Sequence, residues 1–289
     1  MNRSDSHPKI ATLKRIAAFS ATLLFAAGCA TLQSEAETKA QTAAAIAEAS
    51  MGKHRSETNI ARNAARHPVE TLTFFGLEPD MTVLEVLPGG ALWYSEIIAP
   101  VVREKGQFIV ADYDVDLSDQ PEYRLAGRKK MVERFEKNPE IFGTPRIVKM
   151  TAPQSIDLGD PESVDMVLTF RSTHGWIREN AAEAAYAAFF EVLKPGGVLG
   201  VVQHRAGPKT DTTKFNGYVE QDRLIKIATD AGFVLEASSE INANPKDDAN
   251  YEGGVWTLPP SLRMGEEDRE KYLAIGESDR MTLRFRKPS

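Results

Sequence analysis

The chain has 289 residues, 42% hydrophobic and 26% charged, the make-up of a soluble globular protein with one good-sized core. Its net charge of −6 repels nucleic acid, and no basic run offers a groove to overcome that, so no nucleic-acid partner is expected. A single cysteine, Cys29, excludes an internal disulfide framework, and the core alone must hold the fold.

The first element reads as a leader. Arg3, Lys9, Lys14 and Arg15 precede a 12-residue apolar run at 16–27, the layout of a secretory signal peptide over residues 1–28. A membrane-spanning helix needs about 20 apolar residues, which this run does not supply. Ala26-Ala27-Gly28-Cys29 resembles the lipobox at which bacterial lipoproteins are cleaved and acylated. The resemblance implies export to the periplasm and a membrane anchor through a lipid on Cys29. Ala30, where an aspartate would retain the protein on the inner membrane, points to the outer one. Loss of residues 1–28 removes four basic groups and Asp5, leaving 31 basic against 40 acidic residues and a net charge of −9. Residues 29–55, rich in Ala, Glu, Gln and Thr, can bury little and read as a polar tether.

From residue 56 to the end, short apolar runs alternate with helical patterns, which predicts a mostly parallel sheet covered by helices on both faces. Strands are expected at 82–86, 107–111, 146–150, 164–170, 198–202, 234–239 and 281–286. Helices are expected at 93–102, 122–137, 180–193 and 218–231, the last closed by Gly232. His67-Pro68 marks a helix start, with proline in the first turn. The last two strands have no helix between them and predict a C-terminal antiparallel hairpin in a seven-stranded α/β sheet. They are separated by about 40 residues, 240–279, a length that in compact domains is functional or disordered. Tyr251, Trp256 and Leu258 within it favour an ordered lid.

The first strand ends in Glu85-Val86-Leu87-Pro88-Gly89-Gly90, a turn through which backbone can approach a ligand closely. Asp112 and Asp114 end the second strand, where an acid can accept both hydroxyls of a ribose. Lys194-Pro195-Gly196-Gly197 then makes a second glycine turn before an apolar strand. Together, over about residues 68–239, these features resemble the class I S-adenosylmethionine-dependent methyltransferases, with their Rossmann-like fold. From about Arg66 onward, RHPVETLTFFGL, LTFRSTHGW, ANPKDD and GVWTLPPSLR resemble a group of exported bacterial predicted methyltransferases.

That resemblance implies S-adenosylmethionine as cofactor and transfer of its methyl group to a small-molecule or lipid-like acceptor. It implies Glu85 and the Pro88, Gly89 and Gly90 backbone near the methionine moiety, Asp112 on the ribose with Asp114 in reserve, and Ala152 beside the adenine. The chain departs from the acid-x-Gly-x-Gly-x-Gly pattern of the family at Leu87 and Ala91, and Leu87 would crowd the methionine end more than glycine does.

Arg171, His174 and Trp176 follow the fourth expected strand, and His204 and Arg205 the fifth. His174 or His204 is the candidate base, Arg171 and Arg205 candidates for an anionic group, and Trp176 an apolar wall. The spacing of His67, His174 and His204 supports no metal site. Because S-adenosylmethionine is made in the cytoplasm, the alternative is a non-catalytic periplasmic ligand-binding lipoprotein that retains the methyltransferase fold.

Overall fold

The computed structural model describes residues 36–289, and the expected signal peptide and Cys29 lie outside the described residues. The chain divides after Gln41; of the first unit only 36–41 are described, as helix, and the unit that holds every described strand runs from Thr42 to Ser289.

In chain order the elements begin with α1 (36–50), α2 (Glu57–Ala61), α3 (Asn63–Arg66), α4 (Pro68–Phe75), β1 (Thr82–Val86), α5 (Ser95–Val102) and β2 (Gln107–Asp112). The chain continues through α6 (Glu122–Lys137), α7 (Pro139–Phe142), β3 (Arg146–Thr151), β4 (Ser155–Asp157), β5 (Val164–Phe170), α8 (Thr173–Arg178) and α9 (Ala182–Val192). It closes with β6 (Leu193–His204), α10 (Gln221–Asp230), β7 (Val234–Ser239), a 3-10 turn at Gly254–Thr257, α11 (Arg269–Ile275) and β8 (Arg280–Arg286).

Eight strands form one sheet in the order β4-β3-β2-β1-β5-β6-β8-β7. The middle strands β3, β2, β1, β5 and β6 are parallel, while β8 runs antiparallel between β6 and β7. Leu84, Val86, Val167 and Leu199 pack into one apolar layer with Tyr186 and Phe189 of α9 and Leu224 of α10. Val83, Val110 and Leu168 face the other, with Leu72 and Phe75 of α4, Ile97 of α5 and Met131 and Phe135 of α6. Strands buried on both faces are apolar almost throughout, which is why they are visible in the sequence. The chain leaves β1 toward β2 and β3 on one side and returns to β5 and β6 on the other. The carboxyl ends of β1 and β5 therefore border the crevice where an open α/β sheet binds ligands.

Each of the seven expected strands forms, and the α/β class with its antiparallel C-terminal pair holds. The eighth, β4, is a three-residue edge strand paired to β3 through Lys149↔Asp157; it is too short to show alternation. The Pro195-Gly196-Gly197 turn lies inside β6 as an irregularity between its pairings to Val164 and Met166. Gly232, at φ +106°, closes α10 as expected, its amide donating to Thr229 O at 3.0 Å.

The expected tether is corrected from Thr42 on. Ile46 is fully buried and Ala49 nearly so among Leu72 and Ile97. Arg55 donates through Nε to Glu96 Oε2 at 3.2 Å, with neither side chain exposed. Asn59 Nδ2 reaches the same carboxylate at 2.8 Å and Arg134 its other oxygen. One isoleucine in an alanine-rich run is a weak sequence signal, yet it and Arg55 join this segment to the core.

Within residues 240–279 the part up to Leu258 is anchored to the domain, while α11 buries no residue. Leu258 is fully buried, Val255 donates from its amide to Asn216 O at 2.8 Å, and Asn242 Nδ2 donates to Thr71 Oγ1 and Thr282 Oγ1, both at 2.9 Å.

Candidate active site

A cavity of about 760 Å³ opens at the carboxyl ends of β1, β2, β3 and β5, within the range of ~300–1,000 Å³ of small-molecule sites. Leu87, Gly89 and Gly90 wall it after β1, Asp112 and Tyr113 after β2, Thr151 and Ala152 after β3, and Arg171 to Trp176 after β5. Tyr123, Arg124, Gly127 and Arg128 of α6 form one side; Phe215, Trp256 and Arg263 form the roof. A smaller chamber of about 290 Å³ adjoins it, shared through Leu87, Gly89, Arg171, Ser172, His174 and Trp256 and bounded also by Pro88, His204 and Ser278.

The turn after β1 keeps the backbone of a glycine turn despite Leu87. Leu87 adopts φ +50° and Gly89 φ +69°, and the Leu87 amide donates to Ala111 O at 2.8 Å. A left-handed leucine costs roughly 1–2 kcal/mol. A Cβ built on Gly89 or Gly90 would meet nothing within 4 Å, so both glycines face open cavity.

Glu85 lies behind this turn and off the cavity wall, 2% exposed, with its Oε2 accepting from Ser95 Oγ at 2.6 Å. Burial pushes its carboxyl up to about 8, against the Ser95 hydrogen bond and the field of Arg171. Asp112 does face the cavity, where Arg128 Nη1 donates to its Oδ2 at 3.2 Å. Asp114, the reserve acid, is off the wall. Its Oδ2 accepts from Ser155 Oγ at 2.6 Å and its Oδ1 from the Asp116 amide at 3.1 Å, while Lys149 pairs with it at 3.1 Å. It ties the loop after β2 to β4.

After β5 the chain turns at Arg171, φ +64°, whose amide donates to Val202 O at 2.7 Å. Arg171 lines both cavity and chamber. Trp176 lines the cavity, is 4% exposed, and packs edge-on against Phe189 with ring centroids 5.6 Å apart. His174 and His204 do converge, with ring centroids 5.8 Å apart. Gln203 Nε2 lies 3.3 Å from His174 Nδ1, and His204 Nδ1 lies 2.6 Å from Ser278 Oγ. Burial first and Arg171 second push His174 down to about 4; burial, then His174 and Arg171, hold His204 well below its ordinary value. Both rings are neutral at physiological pH.

Arg205 is not on the cavity wall. It donates to both carboxylate oxygens of Glu240, at 2.8 and 2.6 Å, and to both of Asp279, at 2.8 and 3.1 Å. These bonds clamp β7 and β8 to β6 and occupy the donors that an anionic ligand would need. The sequence reading missed Arg124, Arg128, Arg178, Phe215 and Arg263. They come from α6, α8 and two loops, and no local spacing joins them.

Neither a protein-family model nor a curated protein matches the chain. Among solved structures it is similar to an S-adenosylmethionine-dependent methyltransferase from Aquifex aeolicus, at a TM-score of 0.51 and 15% identity over 78% of this chain and 93% of that one. The fold is that of the methyltransferases. The cyclase SpnF is similar too, at a TM-score of 0.53 and 15% identity over 82% of this chain and 86% of its own. A methyltransferase-like fold at this identity settles the scaffold, and the reaction has to be argued from the site.

Proposed function

We propose that the protein transfers a methyl group from S-adenosylmethionine to a small-molecule or lipid-like acceptor within this cavity. One observation carries the reading: the glycine-opened turn after β1 and the Asp112 carboxylate after β2 wall one cavity of about 760 Å³, which adjoins a second chamber of about 290 Å³. The cofactor supplies an electrophilic methyl group on a sulfonium.

The cradle fits that group. Gly89 and Gly90 leave room where a side chain would intrude, Asp112 is placed to accept from ribose hydroxyls, and Ala152 and Tyr113 offer apolar surface for a base. Glu85 acts from behind by fixing Ser95 at the start of α5. The protein's main contribution is positioning, holding the acceptor in line with the methyl group and excluding water under Trp256. His174, which borders both spaces, is the group placed to accept a proton from the acceptor. Burial first and the field of Arg171 second hold its pKa at about 4, so it is a weak base, and an anionic ligand would relieve only the second of these. The role of His204 is to orient through Ser278.

The lipobox resemblance adds export, lipidation of Cys29 and an outer-membrane location to the proposal. Incorporation of a labelled fatty acid that is lost in Cys29→Ala tests that part.

Calorimetric titration of the full-length protein with S-adenosylmethionine and S-adenosylhomocysteine tests the central claim. Micromolar binding that Asp112→Ala abolishes is expected. Absence of binding by folded protein overturns the methyltransferase reading and leaves the cavity to another ligand.

A further inference from the structure

The chain is acidic overall, yet its central cavity is cationic. Arg124, Arg128, Arg171, Arg178 and Arg263 line it against only two carboxylates, Asp112 and Glu179. Arg128 pairs with Asp112, while Arg124 and Arg178 share Glu179 at 3.9 and 3.0 Å. Two guanidiniums are left over. Arg263 lies 4.5 Å above the Trp256 ring, with Gly253 O at 3.5 Å as its hydrogen-bond acceptor. Arg171 has no hydrogen-bond or ion-pair partner for its side chain among the described residues; Arg280, Glu277 and Arg62 act on it only through their fields.

What lies behind Arg171 deepens the imbalance. Arg62, Arg66 and Arg280 all converge on one carboxylate, Glu277. Arg66 is 1% exposed, and both its Nη atoms are buried without a hydrogen-bond partner. Glu85 does not compensate, because burial keeps it protonated at neutral pH. Buried cations are ordinarily matched by anions or hydrogen-bond acceptors; of this group Arg171 lines both cavity and chamber, and Glu277, already shared by three arginines, lines the chamber.

We propose that the second ligand of the cavity, the methyl acceptor on the reading above, is an anion that presents a carboxylate or phosphoryl group to Arg171 and Arg263. S-adenosylmethionine carries a sulfonium and an ammonium against one carboxylate, so it adds positive charge and cannot offset the surplus. An anion at the junction of cavity and chamber does so, accepting charge-assisted hydrogen bonds from a guanidinium that has no other partner. It also offsets the field of Arg171 and Arg178 on His174, the ring placed to take the acceptor's proton. The inference rests on the methyl-transfer reading only in naming this ligand the acceptor.

The test is titration of the full-length protein with inorganic phosphate and, separately, with acetate, at constant ionic strength and with and without S-adenosylhomocysteine. Saturable binding is expected to weaken about ten-fold or more in Arg171→Gln, to recover in part in Arg171→Lys, and to leave S-adenosylhomocysteine affinity unchanged. Preference for phosphate assigns a phosphoryl group and preference for acetate a carboxylate. Equal affinity in wild type and Arg171→Gln, or no binding of either probe, overturns the proposal. So does competition between phosphate and S-adenosylhomocysteine together with loss of both in Arg171→Gln, since Arg171 then holds the carboxylate of the cofactor. Arg171-dependent phosphate binding without any S-adenosylhomocysteine binding keeps the anion site and removes the methyl-transfer reading.

Discussion

The tripeptide Pro-Gly-Gly occurs twice next to a central strand, at Pro88-Gly89-Gly90 after β1 and at Pro195-Gly196-Gly197 within β6, and the two copies have similar backbones. Gly89 and Gly196 are both left-handed, at φ +69° and +76°. They differ in what a side chain would meet. A Cβ on Gly90 finds nothing within 4 Å, whereas one on Gly197 falls 2.8 Å from Lys194 O and 2.9 Å from Leu193 Cδ2. Glycine at β6 is needed for packing of the chain against itself; glycine at β1 leaves space that the protein does not fill. The same motif thus marks a packing requirement in one place and open space at a cavity wall in the other.

What flanks the two turns separates them most strongly. Glu85, which leads into the first, is buried and raised to about 8, whereas Lys194 opens the second and pairs with Asp165 at 2.7 Å. A carboxyl whose folded pKa exceeds its unfolded value binds its proton more tightly in the native state. Its contribution is therefore complete below the unfolded pKa of 4.5 and is lost as pH rises through about 8. Chemical denaturation from about pH 5 to pH 9 should show the stability of wild type falling by on the order of a few kcal/mol relative to Glu85→Gln, which lacks this titration while sharing every other. An unchanged slope in the variant would mean that Glu85 is already ionised in the native protein.

The matched pair of substitutions tests the contrast directly. Gly197→Ala should destabilise the protein by about 1–3 kcal/mol, because backbone has to shift, and leave ligand affinity of the folded fraction intact. Gly90→Ala should leave the melting temperature unchanged and weaken S-adenosylhomocysteine binding about ten-fold, as a methyl group enters the cradle. Exchange of the two outcomes would break the distinction drawn between the turns.

The sequence made the scaffold legible because its signals are local. Continuous apolar strands, Gly232 after α10 and Asp112 at the end of β2 each announce themselves within a few residues. The site was legible where its residues directly follow a strand, as at Gly89, Asp112, Ala152, Arg171 and His174. Arg205 and Asp114 have the right residue types at the ends of strands, but their partners, Glu240 and Asp279 for one and Ser155 for the other, arrive from distant parts of the chain. The cationic lining was hidden for the same reason, and so was the burial of Arg55 on Glu96.

The contrast extends to two further glycines, and there the expected effect is smallest. Gly127 lies inside the 16-residue α6 and Gly175 inside α8, where glycine costs about 1 kcal/mol relative to alanine. Neither is needed for packing: a Cβ on either would meet nothing within 4 Å, and both line the cavity. On the proposed function, a helix that forgoes a better residue beside the cavity keeps that space for a ligand. Gly127→Ala should therefore raise stability by about 0.5–1 kcal/mol, seen as a higher Tm, while it weakens S-adenosylhomocysteine binding on the side that holds Asp112. Gly175→Ala should have the same sign in stability and act on the ligand held by Arg171. Greater stability with undiminished binding in both variants would show that the ligand does not reach these helices, and would confine the reserved space to the turn after β1.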